Sequence, residues 1–133
     1  MFKYIFTSIF ILTSIQAFGQ SKPLPEKLAQ EQLDAYNKRD IDSFVAPYAE
    51  NVKVYEFPDK LMYEGNEEMK NIYGRMFART PDLHCKLLNR IVMGNTVIDH
   101  EEVTLDKNQD PIYAIAIYKI ENDKIAEVYF IRP

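Results

Sequence analysis

The chain is poor in the residues that staple or chelate small domains: among 133 residues it has one cysteine, Cys85, two histidines, His84 and His100, and four glycines. A single cysteine closes no intramolecular disulfide, so the fold must be held by its core, for which a hydrophobic content of 47% is adequate. Cys85 has no activating partner nearby in sequence, and nucleophilic thiol chemistry is therefore unsupported. A metal site built from His84, His100 and a carboxylate would match no compact ligand spacing. No glycine-rich phosphate loop is present, so neither a metal nor an organic cofactor is implied. Positive charge is also short: 16 basic residues face 20 acidic ones, for a net charge of −4. Without a basic stripe to offset that balance, nucleic acid and other polyanions are disfavoured as partners.

A long apolar run is missing too. Lys3 is followed by the stretch Tyr4 to Ile15, interrupted by Thr7, Ser8, Thr13 and Ser14. This falls short of the roughly 20 apolar residues that span a bilayer. Ala17-Phe18-Gly19 then places small residues at the first and third positions of a cleavage site, so residues 1–19 read as a secretory signal peptide, with an uncleaved anchor as the alternative. No cysteine near the cleavage point supports lipid modification. The mature chain would begin at Gln20 with 114 residues, enough for one domain, and fifteen basic against twenty acidic residues. It would be exported, periplasmic or secreted, with no stable membrane association after cleavage. Residues 20–25, with two prolines, form a short leader; residues 26–133 form the domain.

Within the domain the apolar period changes once. Leu28, Ala29, Leu33, Ala35 and Tyr36 recur at helical spacing over 26–38, and Ile41, Phe44, Val45 and Tyr48 suggest a shorter helix over 40–50, capped by Asp40 or Asp42. Val52 to Phe57 alternates as a strand closed by Pro58-Asp59, and Leu61 to Tyr63 is a short extended piece. A third helix opens near Gly65, with Asn66 as its cap and Met69, Ile72, Tyr73, Met76 and Phe77 as its apolar stripe, and stops at Thr80-Pro81. Beyond it the period is 2, giving four strands over 83–93, 96–105, 112–120 and 124–131. Gly94-Asn95 and Asn122-Asp123 suit tight hairpin turns. Helices followed by an antiparallel meander make an α+β layout. A sheet covered by helices on one face can enclose a cavity, and eight tyrosines of the domain pair an apolar ring with a hydroxyl suited to its wall or to an ordinary core.

The order of elements, with the strings Tyr36 to Asp42, Tyr48 to Val52, Asn89 to Asn95, Val97 to Glu101 and Lys124 to Ile131, resembles the SnoaL-like branch of the nuclear transport factor 2-like superfamily, including its steroid delta-isomerase-like members. The resemblance covers about residues 26–132. It implies a cone-shaped fold with three N-terminal helices packed on a curved antiparallel sheet, a small apolar ligand, and a homodimer, for which apolar residues on both faces of Ile112 to Ile120 also speak. Transferred residue by residue, the general-base position falls on Glu56, nine residues before Gly65. Tyr48 and Tyr73 match supporting tyrosine positions. The oxyanion-hole tyrosine falls on Gln32 and its partner acid on Ala116, so the largest electrostatic contribution to dienolate stabilisation is lost.

Asp99-His100-Glu101-Glu102 places four ionisable groups inside a strand. Alternation puts Asp99 and Glu101 on one face and His100 and Glu102 on the other, and a tight turn at Gly94-Asn95 sets Arg90 opposite Asp99 and Asn89 opposite His100. The resemblance implies that the Asp99/Glu101 face lines the cavity, where a carboxylate among apolar walls serves as acid or base near neutral pH. The alternative is an ion pair with Arg90 and solvent-facing glutamates. His100 reads as a proton shuttle or as a structural histidine, and His84 lies near the expected cavity mouth. The sequence thus nominates Glu56, Asp99, His100 and Glu101 for catalysis and Gln32, Tyr36, Tyr48, Tyr73 and His84 for ligand binding. Two functions remain open: proton-transfer chemistry of the isomerase, cyclase or dehydratase type, or a non-catalytic binding or dimeric assembly module.

Overall fold

Helix α1, Leu24–Lys38, begins two residues before the point the apolar pattern suggests, because Pro25 sits in the first turn, where a missing N–H costs nothing. Its buried stripe of Leu28, Ala29, Leu33 and Ala35 also carries Gln32, an amide on an otherwise apolar face. The helix ends at Arg39, in the left-handed region at φ 53°. Asp40 then caps α2, Ile41–Val45, by accepting hydrogen bonds from the Ser43 N–H at 3.2 Å and the Ser43 hydroxyl at 2.8 Å. This computed structural model describes Gly19 and residues 21–133, so the signal-peptide reading falls almost entirely outside the described residues.

The second helix is shorter than its apolar spacing suggests, since Tyr48 already belongs to β1, Tyr48–Glu56. Strand β2, Lys60–Glu64, folds back on β1, and Gly65, at φ 95°, redirects the chain into α3, Asn66–Arg79. Asn66 is the first helical residue, and Gly65 occupies the cap position without a side-chain bond. The four later strands are β3, His84–Met93, β4, Thr96–Thr104, β5, Ile112–Glu121, and β6, Lys124–Ile131. Gly94 alone has positive φ in the β3–β4 turn, as a glycine-first two-residue turn requires; Asn122 and Asp123 both have it in the β5–β6 turn.

All six strands form one sheet in the order β2-β1-β6-β5-β4-β3. The last four strands, β3 to β6, make an antiparallel meander, but β1 and β6 pair in parallel, with Val54 opposite Val128 and Glu56 opposite Phe130. The expectation of a wholly antiparallel sheet is corrected there: β1 joins the far end of the meander some seventy residues along the chain. The helices cover one face. Phe44, 1% exposed, is the hub of that layer, with ring centroids 4.5 Å from Tyr73, 5.4 Å from Tyr48 and 5.6 Å from Phe77. Asn37 ties α1 to β3 as a strand neighbour would, donating to the Cys85 carbonyl at 2.8 Å and accepting from the Cys85 N–H at 2.7 Å. The architecture is α+β, with helices on one face of a six-stranded, mostly antiparallel sheet.

Candidate functional site

The alternation of β4 and β5 decides what lies between the layers. Val97, Asp99, Glu101 and Val103 face the helices, and their β5 partners on the same face are Tyr118, Ala116, Ala114 and Ile112. The small Ala114 in this row leaves space beside Glu101, and it lines a cavity of about 320 Å³ between the sheet and the three helices. Its wall includes Tyr36, Phe44, Tyr73, Met76 and Phe130. Met62 and Ile112 line it while remaining 43% and 42% exposed, so they mark its mouth; Tyr48 at 5% and Tyr118 at 3% lie at its inner end.

The polar groups at that inner end form one directional chain. The Tyr48 hydroxyl donates to Gln32 Oε1 at 3.2 Å, Gln32 Nε2 donates to the Tyr118 oxygen at 3.0 Å, and the Tyr118 hydroxyl donates to Glu101 Oε1 at 3.3 Å. Gln32 Nε2 also reaches the Ala29 carbonyl at 3.0 Å, which satisfies an amide that is 4% exposed. Every donor therefore points towards Glu101. The bond occupies one carboxylate oxygen.

Behind this chain lies a buried ion pair. Arg90 grips Asp99 with two parallel bonds, Nε to Oδ1 at 2.7 Å and Nη2 to Oδ2 at 2.8 Å, and its third arm donates to Gln30 on α1 at 2.8 Å. Asp99 is fully buried, so removal of Arg90 alone would strand a charge in the core. The pair sits two residues from Glu101 on the same strand face.

Glu101 is 7% exposed. Loss of water around its carboxylate, and then the nearby Asp99 charge, push its pKa up to about 7, against the smaller opposing pulls of the Tyr118 hydrogen bond and Arg90. Burial, then the charge of Glu101, pushes the Cys85 thiol up, so this cavity-lining cysteine stays protonated and unreactive at neutral pH. Tyr73 is pushed up to about 12, first by burial and then by Glu101. Tyr63, also in the wall, has a buried hydroxyl with no hydrogen-bond partner among the described residues; the Tyr73 phenol interacts with it without reaching hydrogen-bond geometry.

Of the residues nominated from sequence, Gln32, Tyr36, Tyr48, Tyr73 and Glu101 line the cavity. Asp99 lies behind it, held by Arg90. Glu56 shares the inner face of β1 with Val52 and Val54 and pairs with Phe130, but it is the last residue of its strand and is not part of the cavity wall. His100 is exposed on the opposite sheet face, 6.4 Å from the Tyr113 ring, and His84 is exposed at the start of β3. Neither histidine lines the cavity. Among the described residues no group of three or more His, Cys, Asp and Glu side chains is placed to hold a metal ion. Sequence reasoning did not single out Tyr118, Tyr63 or Arg132, all in the wall. For Tyr118 a signal existed: it follows Ala114 and Ala116 at period 2, one large polar-tipped side chain after two small ones.

A raised carboxylate pKa has a stability consequence. Between about 4.5 and about 7 the folded protein holds a proton on Glu101 that the unfolded chain releases, so stability falls as pH rises through that window. Two and a half pH units correspond to a loss of at most about 3 kcal/mol. Glu101→Gln keeps the acceptor for Tyr118 and removes the titration. In thermal melts from pH 4 to 9, the variant should gain on the wild type steadily above pH 5 and stay ahead beyond pH 8; parallel curves would show that Glu101 titrates normally.

Residues 29–128 match the SnoaL-like domain family. An uncharacterized cystatin-fold protein from Novosphingobium aromaticivorans is 27% identical, with a TM-score of 0.75 over 84% of this chain and 100% of its own. A candidate ketosteroid isomerase from Kribbella flavida is 19% identical, with a TM-score of 0.68 over 83% of this chain and 78% of its own. A candidate SnoaL-like polyketide cyclase from Shewanella putrefaciens is 17% identical, with a TM-score of 0.70 over 97% of this chain and 92% of its own. No curated protein matches. With the family match spanning most of the domain and agreeing with its layered α+β architecture, the chain belongs to the SnoaL-like domain family.

Proposed function

We propose that this SnoaL-like protein encloses a small, largely apolar molecule between its helices and sheet and moves a proton on it, with Glu101 as the acid or base. The observation that carries the reading is a single one: a carboxyl group in the cavity wall, 7% exposed, with its pKa pushed up to about 7. A group titrating there is populated in both protonation states at neutral pH, which is what general acid–base catalysis needs. One oxygen is held by Tyr118 and the other is left for the substrate. Isomerisation and cyclisation, the activities for which the Kribbella and Shewanella proteins are named, both proceed by such proton transfers. Asp99 assists by its charge, since it disfavours a second anion beside it, and His100 takes no part from its position on the other sheet face.

The rival, a non-catalytic module, is favoured by one observation. The sheet face away from the helices carries Ile91, 55% exposed, Tyr113, 46% exposed, and Met93, 79% exposed, beside the partly buried Ile98, Ile115 and Ile117. An apolar sheet face of this kind supports a homodimer. The first nineteen residues support export, so the reading is of a periplasmic or secreted dimer.

Turnover by Glu101→Gln should fall at least about a hundredfold on any enone or 1,3-dicarbonyl substrate found by following carbon-bound deuterium exchange, whereas Glu56→Gln should stay within a few fold. The wild-type rate should change around pH 7, rising if Glu101 accepts the proton and falling if it donates it. Full activity in Glu101→Gln would remove the mechanism. For the assembly, light scattering on the wild type should give twice the chain mass, and Ile117→Lys should give the chain mass with an unchanged circular dichroism spectrum; a monomeric wild type would exclude the dimer.

A further inference from the structure

Two groups in the cavity wall carry a charge outside the tyrosine and cysteine chemistry: Glu101, and Arg132 at the mouth. Arg132 immediately follows β6. Ile131 pairs with Ile115, and Glu101 pairs with Ala114, so Arg132 and Glu101 approach one level of the sheet from strands two places apart, with the small Ala114 on the strand between them. That separation is roughly 10 Å between backbones.

Arg132 has no carboxylate within ion-pair distance among the described residues, in a chain with more acidic than basic side chains. Its guanidinium instead rests over the Phe130 ring, 5.6 Å from the centroid, and 3.6 Å from the Met62 sulfur, both cavity-lining residues. Aromatic and thioether contacts hold the guanidinium in place and satisfy little of its donor capacity, since one of its five N–H groups meets the Met62 sulfur and the other four remain for a planar acceptor. Beside it in the wall, the Tyr63 hydroxyl is a buried donor that meets only the Tyr73 phenol, outside hydrogen-bond geometry. The wall between these donors and Glu101 is aromatic and aliphatic.

We infer that the ligand is an amphipathic acid: an apolar body seated in the cavity, with a carboxylate at the mouth bound by Arg132. This rests on the enclosure of a small apolar molecule proposed above and names its chemical class. The position at the mouth suits it. A carboxylate there keeps part of its hydration while it pairs with the guanidinium, whereas one at the inner end would meet the charge of Asp99 and the carboxyl of Glu101. Arg132 thereby selects acids over neutral analogues of the same shape and fixes which end of the molecule enters first.

Calorimetric titration with 2-naphthoate and decanoate, each against its methyl ester, tests this on the full chain at pH 8. The wild type should bind each acid at least about tenfold more tightly than its ester, an advantage that shrinks as salt is raised. Arg132→Gln should abolish the difference by weakening the acid and leave the ester within twofold, which also shows that the variant is folded. Equal binding of acid and ester by the wild type, or an acid preference retained in Arg132→Gln, overturns the role of Arg132 while the enclosing cavity stands. Failure of both acids and both esters to bind overturns the enclosure itself, and the acid recognition with it.

Discussion

The site depends on two carboxyl groups, Asp99 and Glu101, held two residues apart on the buried face of one strand, where only one of them has a cation. Arg90, with 8% side-chain exposure, closes on Asp99 with two of its three nitrogens and leaves Glu101 without a cation of its own. Glu101 receives a single phenolic hydrogen bond in return for its lost hydration. An acidic group near neutrality is the result, produced by burial and by the charge of Asp99. The arrangement divides labour between adjacent residues of identical chemistry by giving them different partners.

Everything around the strand serves that division. The Gly94 turn fixes the register that brings Arg90 to Asp99, and α1 contributes both Gln30, which holds the outer arm of Arg90, and Gln32, which orders the hydroxyls of Tyr48 and Tyr118. Ala114 keeps the sheet surface open beside Glu101, where a larger residue would fill the cavity. Function is thus bound to specific departures from a well-packed core: one amide on an apolar helix stripe, two acids on an apolar strand face, and a small residue beside Glu101. Such departures are costly unless each polar group is satisfied, and the donor chain ending on Glu101 satisfies nearly all of them.

Local features were the most readable in the sequence. The helix α3 and the β3–β4 and β5–β6 turns follow from short-range spacing and turn chemistry, and so does the opposition of Arg90 and Asp99. The sequence pattern also identified the family, later matched over residues 29–128. Less readable were the features set by distant chain segments. The parallel pairing of β1 with β6 leaves no mark on either strand alone. The resemblance pointed to Glu56 as the general base, and although Glu56 shares the inner face of β1, its position at the end of the strand keeps it out of the cavity wall. Arg132 reads as an ordinary terminal charge until Phe130, Met62 and the cavity mouth are assembled around it.

The central claim is that Glu101 shares its proton near neutral pH because burial and Asp99 act on it together. Carbon-13 NMR of protein labelled at the glutamate side-chain carboxyls, titrated from pH 3 to 9 and assigned with Glu101→Gln, reports this directly. The account requires one glutamate resonance, absent in the variant, with its midpoint near 7. A Glu101 resonance that titrates at about 4.5 with the exposed glutamates would contradict it.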